Sequence, residues 1–188
     1  MVRVPVVNRD QVPEALQPAF DEVVGSRGRG NNVVSGGPTS ILINSPEMAR
    51  RCVQLSSYLR DQSTLPKKIQ ELAMLTTARS MDCQYIWNAH AASGRQAGLS
   101  DALVDALREN RPLPPMPADE AAVVNYGMEF YTTHKVSEGT FKAALEQFGP
   151  QGLAELTTLM GYYALLAFNA NAFQIDLPDR PAEPLLPV

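Results

Sequence analysis

A chain of 188 residues, 45% of them hydrophobic, is long enough to bury a sizeable core without metals or disulfides. Its net charge of -4 argues against a nucleic-acid binder, and its two cysteines are too few for a disulfide scaffold. There is no apolar signal-peptide core, and no apolar run approaches the roughly 20 residues of a membrane span, so a cytoplasmic protein with no membrane or nucleic-acid partner is expected.

In chain order, the pattern is helical almost throughout, which predicts an all-α protein with one domain over residues 1–188 and a core over about 10–178. Residues 13–24 read as an amphipathic helix with Leu16, Phe20 and Val23 or Val24 on one face. A loop with five glycines follows at residues 25–37. It lacks the Gly-Lys-Ser/Thr of a phosphate loop, and Arg27 or Arg29 is the candidate there to attract an anionic substrate. Ser45-Pro46-Glu47 is a helix start, with a capping hydroxyl, a proline in the first position and an acid against the dipole, and the helix is expected to reach Leu59. Leu65-Pro66 opens another, with Ile69, Leu72, Ala73, Leu75 and Thr76 as its inward stripe.

A break is expected near Ser80-Met81-Asp82, with Ser80 or Asp82 capping a new helix and Cys83 in its first turn, where unpaired backbone N–H groups favour a thiolate. Ser100 caps a helix to about Asn110. Residues 111–117 form a Pro-rich connector, and residues 118–134 are helical, with His134 serving the helix dipole. A short helix from Ser137 is ended by Gly149-Pro150, and a long apolar helix runs from Leu153 to about Phe173. Residues 176–188, with four prolines, are expected to be extended and to pack on a neighbour. The phrase Glu71-Leu72-x-x-Leu75 recurs as Glu155-Leu156-x-x-Leu159, with Ala167 and Gln174 where the offset calls for Cys83 and His90. That suggests two similar helical hairpins, the first alone equipped for chemistry.

The scarce reactive residues fall in one window. Cys83 and His90, from pools of two cysteines and two histidines, lie two helical turns apart on one face, and Trp87 shares that face. A thiol near its ordinary pKa needs a base, which His90 can supply, and Glu71 can orient His90. Against this, Cys83 could be a small core hydrophobe, His90 a core histidine and Glu71 a solvated carboxylate following Lys67 and Lys68. Trp87 and Tyr85 are candidates to wall a substrate pocket, Trp87 ahead of Tyr85. The spacing shows no paired metal-ligand pattern, and no cofactor is called for.

The order Glu71, Cys83, His90, followed by Gly98-Leu99-Ser100-Asp101-Ala102-Leu103, resembles the carboxymuconolactone decarboxylase and alkylhydroperoxidase D superfamily. The resemblance implies that family's helical fold, a trimer or hexamer with a site near a subunit contact, and Glu71, Cys83 and His90 as catalytic residues acting on a small-molecule substrate. The family's peroxidases use Cys-x-x-Cys, and here Ile86 stands at the second position, which rules out an internal dithiol cycle. The expectation is a cofactor-independent acid–base enzyme acting on a small lactone or carboxylate. The alternatives are a one-cysteine hydroperoxide-reducing thiol enzyme with an external reductant, and a non-catalytic oligomer that binds a ligand or a partner.

Overall fold

A computed structural model describes residues 3–26 and 36–188. Arg27 and Arg29 lie outside the described residues. These form eight α-helices and no strand: α1 (Gln17–Ser26), α2 (Thr39–Leu42), α3 (Pro46–Ser57), α4 (Lys67–Ser80), α5 (Gln84–Gln96), α6 (Asp101–Arg108), α7 (Ala118–Thr133) and α8 (Glu138–Ala172). None is long and apolar enough to cross a membrane. The chain groups into two compact units, residues 1–62 with 168–176 and residues 63–167 with 177–188.

In the first unit α1 packs on α3. Phe20 and Val23 are fully buried as the spacing predicts, while Leu16 is 36% exposed. Leu16 falls in a 3-10 turn that precedes α1, so it leaves the helical stripe. Ser45 stands before α3 without a side-chain cap bond, and the helix start rests on Pro46 and Glu47 instead. The chain leaves α3 through a single π turn at Tyr58–Gln62.

The second unit is built around α4. The expected stripe of Ile69, Leu72, Ala73, Leu75 and Thr76 is buried, and so is every other residue from Ile69 to Ala78, so α4 is enclosed on all sides by α5, α6 and α7. Its polar residues survive burial because each has at least one hydrogen-bonded group, although Gln70 Oε1 itself is buried without a partner among the described residues. The Thr76 and Thr77 hydroxyls donate back to the Leu72 and Ala73 carbonyls, both at 2.8 Å, and Gln70 Nε2 donates to the Leu65 carbonyl at 3.0 Å. Gly127 lets α7 close on this helix: a Cβ there would stand 3.0 Å from Thr76 Cγ2 and 2.8 Å from Met160 Cε.

The break after Ser80 is present. Asp82 takes the left-handed conformation at φ 47°, the Cys83 N–H reaches back to the Ala78 carbonyl at 2.8 Å and the Asp82 N–H to the Arg79 carbonyl at 3.2 Å. This is the six-to-one and five-to-two pattern of a helix C-cap. Arg79 pairs with the Asp82 carboxylate and steadies the turn. The turn places Cys83 itself at the N-cap of α5, one position earlier than the first turn expected for it. At the end of α5 the Ser100 hydroxyl caps α6 by accepting the Leu103 N–H at 3.2 Å, as predicted. Within α8, Gly149 (φ 65°, ψ 177°) before Pro150 breaks the helix where the sequence placed its stop.

The repeat is confined to the helix starts. The chain turns at residues 81–83, whereas the equivalent positions 165–167 lie inside α8, so no second hairpin forms there. Residues 177–188 are extended and pack along α5 of their own chain. Gln84 Nε2 donates to the Leu186 carbonyl at 2.7 Å and its Oε1 accepts the Leu186 N–H at 2.8 Å. Asn88 does the same with the Glu183 carbonyl (3.1 Å) and the Ala182 N–H (3.3 Å).

Candidate active site

Glu71 lies one turn inside α4 and His90 mid-way along α5, so the α4–α5 hairpin sets them opposite each other. His90 Nδ1 stands 2.8 Å from Glu71 Oε2. The other carboxylate oxygen, Oε1, is 3.1 Å from Lys67 Nζ, one turn earlier on α4. Gly94, one turn after His90, permits this approach, because a Cβ there would come 3.0 Å from Leu99 Cδ1 and 3.1 Å from Leu75 Cδ1. The Glu71 side chain is 2% exposed and that of His90 14%. Glu71 is therefore a buried carboxylate, and the solvated-face reading of it is excluded.

Burial alone would raise the Glu71 carboxyl. The His90 imidazole and the Lys67 ammonium outweigh that and hold it below the usual carboxylate range. An ionised Glu71 makes Nδ1 the donor, which in the neutral ring leaves the lone pair on Nε2. On its flank His90 meets the Tyr163 ring from α8, with centroids 5.2 Å apart and planes at 81°.

Cys83 lies two turns before His90 on the same helix and is 0% exposed. Seven residues of α-helix span about 10 Å, and the thiol makes no hydrogen bond to His90 or Glu71 among the described residues. Burial pushes the thiol up. The backbone N–H groups of Ile86 and Tyr85 face the sulfur and oppose that rise, without closing a side-chain cap bond. Both cysteines are free thiols, and Cys52 is also pushed up by burial. Trp87 is fully buried, and its indole N–H donates to the Pro184 carbonyl at 3.2 Å, under the extended segment. Tyr85 is half-buried in the first turn of α5.

The structure thus joins Glu71 and His90 directly. It sets Cys83 on the same helix face beneath solvent, and it packs Trp87 as core. Two residues of the cluster are not singled out by sequence reasoning. Lys67 is signalled by its position four residues before Glu71, a spacing that places a cation on the same helix face. Tyr163 has a weaker signal, its place on the buried stripe of α8 with Leu156, Leu159, Met160 and Ala167.

Residues 46–123 match the model of the carboxymuconolactone decarboxylase family, a span that includes both site helices. No curated protein matches the chain. Among solved structures, the fold is similar to an uncharacterized peroxidase-related protein from Ralstonia eutropha JMP134, described as an alkylhydroperoxidase AhpD core (20% identity, TM-score 0.71, over 95% of this chain and 93% of that one). An uncharacterized peroxidase-related protein from Silicibacter sp. TM1040 is equally similar (16% identity, TM-score 0.71, 93% and 91%). So is the debrominase Bmp8 (12% identity, TM-score 0.70, 94% and 92%), also solved as a cysteine-to-alanine variant with 2,3,4-tribromopyrrole. At these identities the structural likeness shows the fold. The family match covers residues 46–123, and the fold is similar to those of alkylhydroperoxidase D-like proteins.

Proposed function

We propose that this protein is a cofactor-independent acid–base enzyme acting on a small lactone or carboxylate, with His90 as the proton-transfer group and Glu71 as its orienting partner. One observation carries the reading: the imidazole is bonded through Nδ1 to a buried carboxylate while the His90 side chain keeps 14% of its exposure, whereas Cys83 is wholly covered. An oriented imidazole is the usual general acid–base group near neutral pH.

For a decarboxylation, the C–C bond to the carboxylate breaks, carbon dioxide leaves, and the electron pair stays on an enolate or dienolate. Protonated His90 then gives its Nε2 proton to the carbanionic carbon and is reprotonated from solvent. Glu71 stabilises the imidazolium throughout and keeps its own charge, as a third group does in base–orienter pairs. Tyr85 would wall the pocket, while Trp87, wholly buried, would support α5 from the core. Cys83 would set local polarity or supply a second proton. The exposed apolar residues Phe130, Phe141 and Leu165 support a homo-oligomer, a trimer or a hexamer, which light scattering at micromolar concentration tests.

A second reading has one observation in its favour, the two amides that face the Cys83 sulfur. In it the thiolate attacks a hydroperoxide, the O–O bond breaks, an alkoxide leaves, and an external thiol reduces the resulting sulfenic acid. The similar structures described as peroxidase-related support keeping it. The full burial of Cys83 opposes it. The test is a panel of small lactone carboxylates, followed for carbon dioxide release and for deuterium incorporation from heavy water, run beside peroxide consumption with dithiothreitol. Turnover of a lactone or carboxylate that His90→Ala abolishes is the expected result. Peroxide turnover that Cys83→Ser abolishes, with the first panel silent, would replace the acid–base reading by the second.

A further inference from the structure

We propose that Tyr163 is a positioning residue for His90, holding the imidazole at the tilt that keeps Nδ1 on Glu71 and turns Nε2 away from it. The inference rests on the acid–base reading above. A hydrogen bond at Nδ1 fixes one point of a ring. It leaves the ring free to tilt about the N···O line, and the terminal torsion of histidine is broad. An edge contact on the flank removes that freedom. Tyr163 supplies it, with centroids 5.2 Å apart and an interplanar angle of 81°.

Tyr163 can act as a wall because it is itself immobilised. It is 4% exposed and lies in the same buried row of α8 as Leu156, Leu159 and Ala167, each 0% exposed. Its ring meets Tyr162 edge-on at 5.9 Å and 78°. Three helices therefore converge on one imidazole: α5 carries it, α4 supplies the carboxylate and α8 supplies the wall. Tyr163 follows His90 by 73 residues, so the contact belongs to the tertiary fold and not to the Glu–Cys–His window.

The test is a long-range proton–nitrogen correlation of the histidine rings in the full chain, with His134→Gln assigning the two signals. It is recorded on the neutral imidazole for the parent protein, Tyr163→Leu and Tyr163→Phe. The parent is expected to hold His90 mainly as the Nδ1–H tautomer. Tyr163→Leu is expected to raise the Nε2–H to Nδ1–H ratio roughly 2- to 12-fold, the usual worth of an aromatic pair expressed as a population ratio. Tyr163→Phe should restore it, since the ring edge is kept. Tyr163→Met repeats the experiment if the leucine variant does not fold. An unchanged tautomer ratio in a folded, ring-free variant overturns the proposal. A shifted ratio in a protein that turns over no proton-transfer substrate leaves Tyr163 in this role and removes the acid–base function instead.

Discussion

Glu71 on α4 and Glu155 on α8 occupy the same place in the same phrase, five residues after a proline, and both are buried. Each has a partner one turn earlier on its own helix: Lys67 Nζ at 3.1 Å for Glu71, and Gln151 Nε2 at 3.0 Å for Glu155. Their remaining contacts differ in kind. Glu71 Oε2 faces the imidazole of His90, a group that can exchange a proton. Glu155 Oε2 accepts the Thr64 N–H at 2.8 Å and the Thr64 hydroxyl at 2.6 Å, donors that tie down the chain just before α4. One local pattern thus yields a carboxylate paired with an imidazole in one place and a structural clamp in the other. The difference lies in what the tertiary fold delivers to the second oxygen: a turn at Asp82 folds α5 back and brings His90, whereas α8 runs straight on.

The largest expected effect separates the two acids by activity. Glu71→Gln keeps shape and removes charge, so kcat on an identified substrate should fall roughly tenfold to a hundredfold, below the 10² to 10⁴ typical of losing the acid–base group itself. Glu155→Gln should stay within about twofold of the parent, since its bonds to Thr64 and Gln151 involve neither His90 nor Glu71. Equal losses in steady-state assays would erase the distinction.

Stability should rank them the other way. Glu155→Ala strands the Thr64 N–H and hydroxyl and the Gln151 amide, and should cost about 2–3 kcal/mol in urea unfolding. Glu71→Ala should cost less, about 1–2 kcal/mol, because it strands one imidazole N–H and a half-exposed ammonium that water can solvate. A larger loss at Glu71 would mean that its pairing is chiefly structural.

The smallest effect sharpens the comparison by converting one region toward the other. Lys67→Gln places at Glu71 the partner that Glu155 has. Lys67 is 50% exposed, so the stability change should stay under about 1 kcal/mol near neutral pH. The acid side should differ. Glu71 has a folded pKa held below its ordinary value of 4.5, so its contribution is fully present above that value and is lost as pH falls through the lower folded one. Removing Lys67 should move that loss to higher pH, narrowing the window, and urea midpoints measured from pH 6 downward would show it. An unchanged acid limb would mean that His90 alone holds the carboxylate.

Much of this comparison is legible in the sequence. The helix starts at Pro46, Pro66 and Ser100 and the stop at Gly149-Pro150 follow from local backbone chemistry, which acts within a few residues. The pairing of Glu71 with His90 follows from residue scarcity and the family resemblance. The total burial of α4 does not, because Gln70, Glu71, Thr76 and Thr77 read as polar, and their partners appear only once the backbone is folded. The turn at Asp82 carries no glycine, so its left-handed residue is easy to overlook, and Cys83 is an unusual N-cap beside the Ser, Thr, Asp and Asn that favour that position. Tyr163 reaches the site from a separate helix, which no local pattern encodes.

The central claim is that His90, oriented by Glu71, carries the chemistry and that the covered thiol of Cys83 does not. The most direct measurement compares kcat/KM for His90→Ala and Cys83→Ser on the same substrate under the same conditions. The account predicts a loss of roughly 10² to 10⁴ for His90→Ala and measurable activity for Cys83→Ser. Cys83→Ser falling to the uncatalysed rate while His90→Ala stays active would contradict it.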